Sequence, residues 1–159
     1  MSANNIIQQL QLKPHPEGGY YAETYRSAQI ITNSKQEYRN ISTAIYYLLE
    51  DKNKSHFHRI QSDELWFFHQ GEPLEILILQ NKMLKTITVG NSIANGEMPQ
   101  VLITANTWFA VKIKNETGFS LVSCTVAPGF DFMDFELAKR DELVQQFPDQ
   151  KNIIDEYTR

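Results

Sequence analysis

The feature that most restricts the fold is a succession of short runs rich in β-branched and aromatic residues from Tyr20 to about Phe132, many of them closed by turn signals. Candidate strands cover residues 20–26, 41–49, 63–69, 74–79, 84–89, 101–104, 107–113 and 119–127. Between several of them stand clusters of turn-forming residues: Asp51-Lys52-Asn53-Lys54, Gln70-Gly71-Glu72-Pro73, Gly90-Asn91-Ser92 and Asn115-Glu116-Thr117-Gly118. Many short strands with frequent turns specify a sandwich or a barrel, because each strand must bury one face against others. The run 74–79 is apolar on nearly consecutive residues, interrupted by Glu75, which suits a strand covered on both faces.

The ends of the chain have a different texture. Asn4 or Asn5 can cap a short helix that carries Ile6, Ile7 and Leu10 on one face, with Pro14 as its stop. His15-Pro16-Glu17-Gly18-Gly19 reads as a turn. Residues 140–147 have helical spacing, with Leu143, Val144 and Phe147 on one side and Pro148 at the end, and Ile153, Ile154 and Tyr157 suit a second helical turn packed back on the strands. With 159 residues, one domain is expected: helix and turn over 1–19, barrel over 20–132, helical segment over 133–159. A formal charge of -4 without basic clusters gives no footprint for nucleic acid or an anionic membrane. No apolar run reaches the length of a membrane span, and the first residues carry neither a basic stretch nor an apolar signal core, so a cytoplasmic protein is expected. The single cysteine, Cys124, lies in an apolar strand-like run and is expected to be buried.

One cluster carries candidate chemistry: His56-Phe57-His58, then Glu64, then Gly71. On an extended backbone, residues i and i+2 share a face, so both imidazoles would point one way and Phe57 the other. Glu64 begins the next strand and reaches the same face if residues 59–63 turn the chain. Two histidines and a carboxylate form a plausible set for a divalent transition metal with open positions. A carboxylate in the apolar run Glu64-Leu65-Trp66-Phe67-Phe68 needs a partner, which a metal, His58 or Arg59 would supply. Trp66 and Phe68 share the parity of Glu64 and either line the same cavity or pack the core. Arg26, at the end of its strand, either holds an anionic group or makes a surface ion pair. His69 has the opposite parity and is read as outside the pocket, and His15 as structural.

The arrangement His56-Phe57-His58, five residues, Glu64, six residues, Gly71 resembles the first cupin motif. The second motif, Pro-x-Gly-x-x-His, falls on residues 104–109, where Asn106 can supply the left-handed turn and Phe109 stands in the place of the histidine and is expected to face inward. Longer blocks are similar to the DUF985 (Cupin_5) family: residues 12–27 from Leu12-Lys13-Pro14-His15-Pro16-Glu17-Gly18-Gly19 onward, then Ser55-His56-Phe57-His58-Arg59, Ser62-Asp63-Glu64-Leu65-Trp66 and Cys124-Thr125-Val126-Ala127-Pro128-Gly129. In the central block His58 matches the family's histidine, and His56 falls on a free position. The resemblance implies a mainly β jelly-roll (double-stranded β-helix) barrel with short terminal helices, commonly a homodimer, described as a predicted sugar epimerase.

The expected function is therefore a cupin-fold protein that binds a small carbohydrate-like molecule, with epimerisation or isomerisation by His58 and Glu64 as its activity. Arg26, Trp66, Phe68 and Phe109 are the candidate binding residues, and His56, His58 and Glu64 the candidate metal ligands. The alternative is a non-catalytic small-molecule-binding cupin with a degenerate metal site, since Phe109 cannot ligate a metal. A mainly structural role, with the cavity filled by side chains, is the third reading.

Overall fold

The computed structural model describes residues 2–159. Among the described residues, thirteen strands and three α-helices follow one another. They are α1 (Ala3–Gln9), β1 (Lys13–Pro14), β2 (Tyr20–Arg26), β3 (Ile30–Thr32), β4 (Tyr38–Asn40), β5 (Thr43–Glu50), β6 (Lys54–Arg59) and β7 (Asp63–Gly71). After these come β8 (Leu74–Gln80), β9 (Met83–Val89), β10 (Gln100–Ile103), β11 (Trp108–Ile113), β12 (Phe119–Ala127), β13 (Glu136–Leu137), α2 (Arg140–Gln146) and α3 (Lys151–Glu156). A six-stranded sheet, in the order β1-β2-β5-β12-β7-β10, faces a five-stranded sheet, β13-β6-β11-β8-β9. Every strand pair in both is antiparallel. This is the jelly-roll barrel, or double-stranded β-helix, with short terminal helices.

Alternation of side chains places the core. Leu74, Ile76 and Ile78 of β8 point between the sheets, where they join Tyr47, Trp66, Phe109, Val122 and Cys124. The intervening Leu77 and Leu79 point outward and are covered by Leu143, Ile154 and Tyr157 from α2 and α3. This double covering explains the nearly continuous apolar run of β8, each such side chain adding roughly 1.5–3 kcal/mol on burial. On the outer face of the other sheet, Ile6 of α1 packs with Leu12 and Leu48. The β8–β9 hairpin turns on Asn81 and Lys82, both with positive φ, the geometry of a two-residue type I′ turn.

Four local expectations need correction. The cap of α1 is Ser2, whose hydroxyl accepts from the Asn5 amide, and not Asn4 or Asn5. The helix ends before Pro14, which lies in β1 paired with Tyr20. The segment between Arg26 and Thr43 forms an additional ribbon, β3–β4, outside both sheets. Residues 41 and 42 precede β5, which starts at Thr43. None of the helices among the described residues is long and apolar enough to cross a membrane.

Candidate functional site

A cavity of about 280 Å³ opens at one end of the barrel. Its deep wall carries His58, Glu64, Trp66 and Cys124; its mouth is bordered by Lys13, Arg26 and the aromatic segment Phe130, Phe132 and Phe135. The turn between β1 and β2 brings Glu17 into the same space. Gly18 and Gly19, with φ of +117° and +71°, permit that turn. Tyr47 locks it by donating its hydroxyl to the Gly18 carbonyl at 2.7 Å.

His58 arrives on β6, but not with the regular parity of a strand. Phe109 pairs with His58 and Val111 with Ser55, so three steps along β6 oppose two along β11. The bulge puts Ser55 and His58 together on the cavity side and takes His56 out of line. The expected sharing of one face by His56 and His58 is thereby corrected. His56 is half-buried, its Nδ1 lies 2.7 Å from the Glu17 carbonyl oxygen, and its backbone amide donates to the same oxygen at 2.8 Å. Its work is to dock the Glu17 turn onto β6.

The hydrogen bonds around His58 close a ring. Its Nδ1–H donates to the His56 carbonyl at 2.8 Å, with the Ser55 hydroxyl at 3.4 Å. Ser55 donates to Oε1 of Glu17 at 3.0 Å, and Oε2 of Glu17 meets Nε2 of His58 at 3.1 Å. Burial lowers the His58 pKa to about 4 and raises that of Glu17. Burial favours the neutral form of the couple over an ion pair, with Glu17 keeping the proton and donating it to Nε2. His15, on the same turn, is also held neutral by burial.

Glu64, the second residue of β7, enters the cavity beside Trp66 and Cys124. Burial, reinforced by the nearby Glu17, raises its pKa to about 8. Its expected partner Arg59 is elsewhere: the guanidinium binds Glu136 at 2.7 Å and lies over the Trp108 ring. The indole nitrogen of Trp66 has no hydrogen-bond partner of good geometry. Burial also pushes the Cys124 thiol well up, so it is a neutral neighbour of Glu64.

The other candidates separate clearly. Trp66 lines the cavity. Phe109 faces inward as expected, 4.2 Å between ring centroids from His58, and forms the backing of that ring, with Trp108 on the opposite face. Phe68 packs against the core below the cavity and does not line it. Arg26 stands at the mouth, yet its guanidinium is committed: both Glu23 oxygens accept from it at 2.9 and 2.7 Å, with Asn40 at 2.8 Å and the Phe130 carbonyl at 3.1 Å. His69 is outside, bonded to Ser123.

The donor set does not suit a metal ion. His56 turns its Nδ1 to a carbonyl, His58 has both ring nitrogens engaged, and Phe109 offers no donor atom. Among the described residues, His56, His58 and Glu64 are not gathered as a ligand cluster.

Glu17 and His15 escaped the sequence reading as site residues, as did Ser55. The available signal was the pair of glycines after Glu17, which marks a backbone that no other residue adopts easily and hence a turn with a defined place to dock.

Residues 4–138 match the family Cupin_5, described as cupin superfamily (DUF985). The chain is 34% identical over 158 residues to the uncharacterized protein YML079W of Saccharomyces cerevisiae, covering 89% of this chain and 78% of that one. Among solved structures, it is similar to protein SO0799 from Shewanella oneidensis, with a TM-score of 0.92, 38% identity and coverage of 100% and 98% of the two chains. It is also similar to a hypothetical protein from Leishmania major, with a TM-score of 0.92, 34% identity and 99% of each chain covered.

Proposed function

The chain belongs to the Cupin_5 (DUF985) family of the cupin superfamily, and on that premise we propose that its barrel cavity binds a small carbohydrate-like molecule in the cytoplasm and isomerises or epimerises it by proton transfer. His58 and Glu64 centre the acid–base group. The observation that carries this reading is that the two line one cavity with opposed protonation tendencies: His58 falls to about 4 and Glu64 rises to about 8. Near neutral pH the imidazole of His58 is unprotonated and Glu64 is an undissociated acid, the pairing needed to remove a proton beside a carbonyl while protonating its oxygen. The cavity volume suits a monosaccharide-sized ligand, and the exposed Phe132 at the mouth offers a flat apolar face for a sugar ring.

The test is proton NMR in deuterated water with a panel of ketoses and nucleotide-sugars. The wild-type protein is expected to exchange the proton next to the carbonyl of one of them, and His58→Ala to slow that exchange about a hundredfold. No exchange on any member by well-folded protein, or an undiminished rate in His58→Ala, counts against catalysis.

A second reading is a non-catalytic binder. It is favoured by Phe109, which backs His58 where a ligating or acid–base side chain would stand in the cupin pattern. On that reading a ligand raises the melting temperature and is recovered unchanged.

We further read the protein as a homodimer. Ile30 (61% exposed) and Tyr38 (77% exposed) leave apolar surface in water on the β3–β4 ribbon, next to exposed Tyr25 and Ile41. Sedimentation equilibrium is expected to give twice the chain mass for wild type and a monomer for a folded Tyr38→Glu, Ile30→Glu double variant. A wild-type monomer contradicts this.

A further inference from the structure

Resting on that reading, we propose that Glu17 is the catalytic residue that meets the substrate, and that His58 is a positioning residue that acts through it. The geometry at His58 leaves it no free nitrogen. Nδ1 is committed to the His56 carbonyl at 2.8 Å and Nε2 to Oε2 of Glu17 at 3.1 Å. The ring faces are also covered, by Phe109 at 4.2 Å and by Phe135 at 5.6 Å between centroids. A histidine so enclosed cannot take a proton from a substrate without first breaking the ring of bonds that holds it. Glu17, by contrast, lies on the cavity wall at the end of a glycine-permitted turn, with Glu64 lining the same cavity.

The proton path follows from these contacts. The O–H of Glu17 breaks as its proton passes to Nε2 of His58, which becomes imidazolium. The Glu17 carboxylate then takes the proton from the carbon next to the substrate carbonyl, while the electron pair of that C–H bond forms the new C=C bond. Glu64 gives its proton to the carbonyl oxygen. The product of this half-reaction is a neutral enediol, with imidazolium on His58 and carboxylate on Glu64, so charge is conserved inside the cavity. Reversal of the same transfers, to the other face or to the neighbouring carbon, returns every group to its starting state. Ser55 steadies Glu17 throughout by donating to Oε1 at 3.0 Å.

The experiment needs no substrate. Wild-type protein is treated with glycidol, a small epoxide that esterifies carboxyl groups within reach, and separately with diethyl pyrocarbonate, which modifies a histidine with a free ring nitrogen; peptides are then mapped by mass spectrometry. Glycidol is expected on Glu17, and His58 is expected to resist carbethoxylation. In Glu17→Gln, which keeps the side chain's shape, His58 is expected to react about tenfold faster or more, since the hydrogen bond to Nε2 is weakened. Glycidol or carbethoxyl on His58 of the wild-type protein overturns the proposal, as does the absence of label from Glu17. Where exchange on a ketose is found, Glu17→Gln is expected to abolish it, and His58→Gln to retain a residual rate with a displaced pH profile. Equal loss with an unmoved profile also overturns it. If no ketose exchanges, the isomerase reading fails while the labelling pattern still decides which side chain faces the cavity.

Discussion

Glu64→Gln is expected to stabilise the protein, by almost nothing near pH 4 and by about 4 kcal/mol near pH 8. Burial holds the folded-state pKa of Glu64 at about 8, against an ordinary value of 4.5. Below pH 4.5 the carboxyl is protonated in both folded and unfolded chains, and it contributes no pH dependence. Between 4.5 and 8 the unfolded chain releases the proton while the folded chain keeps it. The folded state then binds more protons than the unfolded, so stability falls as pH rises across that window and levels off above it. Glutamine has the same shape and no proton to lose, so the variant escapes the fall. Urea denaturation at pH 4.5, 6 and 8 reads the difference directly. A variant that is equally or less stable than wild type at pH 8 would mean that Glu64 is an ionised, well-partnered group in the resting protein.

Gly18→Ala is expected to remove at least about 4 kcal/mol of stability, placing it among the most damaging single substitutions. A Cβ on Gly18 would stand 1.9 Å from the Lys54 carbonyl oxygen, a backbone atom of β6 that cannot turn aside. The φ of +117° adds strain for any side chain. The Glu17 turn would have to lift off β6, breaking the bonds from the His56 amide and ring to the Glu17 carbonyl and separating Glu17 from His58. Chemical denaturation measures the loss. The ¹⁵N shift of His58 Nε2 reports whether Glu17 still donates to it. A variant with near-native stability and an unchanged shift would show that the turn is not clamped as described.

Much of the barrel was legible because its signals are local. The strands 20–26 and 119–127 coincide with β2 and β12, since Gly18-Gly19, Gly118 and Pro128-Gly129 mark their ends and β12 also alternates in burial. The double covering of β8 was readable from its apolar run, broken only at Glu75. The position of Asn106 in the left-handed region, at φ +61°, followed from the turn it occupies. Cys124 is buried as its apolar setting implied. The ribbon of β3 and β4 was not legible, because its exposed strands carry no alternation that a buried face would impose.

The site divides along the same line. Glu64 and Trp66 share the cavity as expected because parity is regular from Asp63 to Trp66, and His58 reaches it through a motif of defined spacing although its strand is bulged. His56 was misplaced because a β-bulge between Ser55 and His58 is decided by pairing with β11, which no count along β6 reveals. Glu17 was hidden for a related reason. Its turn is legible, but the docking of that turn on His56, 39 positions later, is a long-range contact. Arg59 was a reasonable partner for Glu64 by proximity in sequence; it ends β6 in the opposite sheet from β7 and pairs outward with Glu136 on β13.

The central claim is that a protonated Glu64 and the Glu17–His58 couple work together on a ligand in the barrel cavity. The pH profile of proton exchange on the responsive ketose, for wild type and Glu64→Gln, tests it most directly. Wild type is expected to lose activity on an alkaline limb with a midpoint at about 8, where Glu64 gives up its proton. In Glu64→Gln that limb is expected to vanish, leaving a lower rate that no longer falls on the alkaline side. An alkaline limb that persists unchanged in Glu64→Gln would contradict the claim.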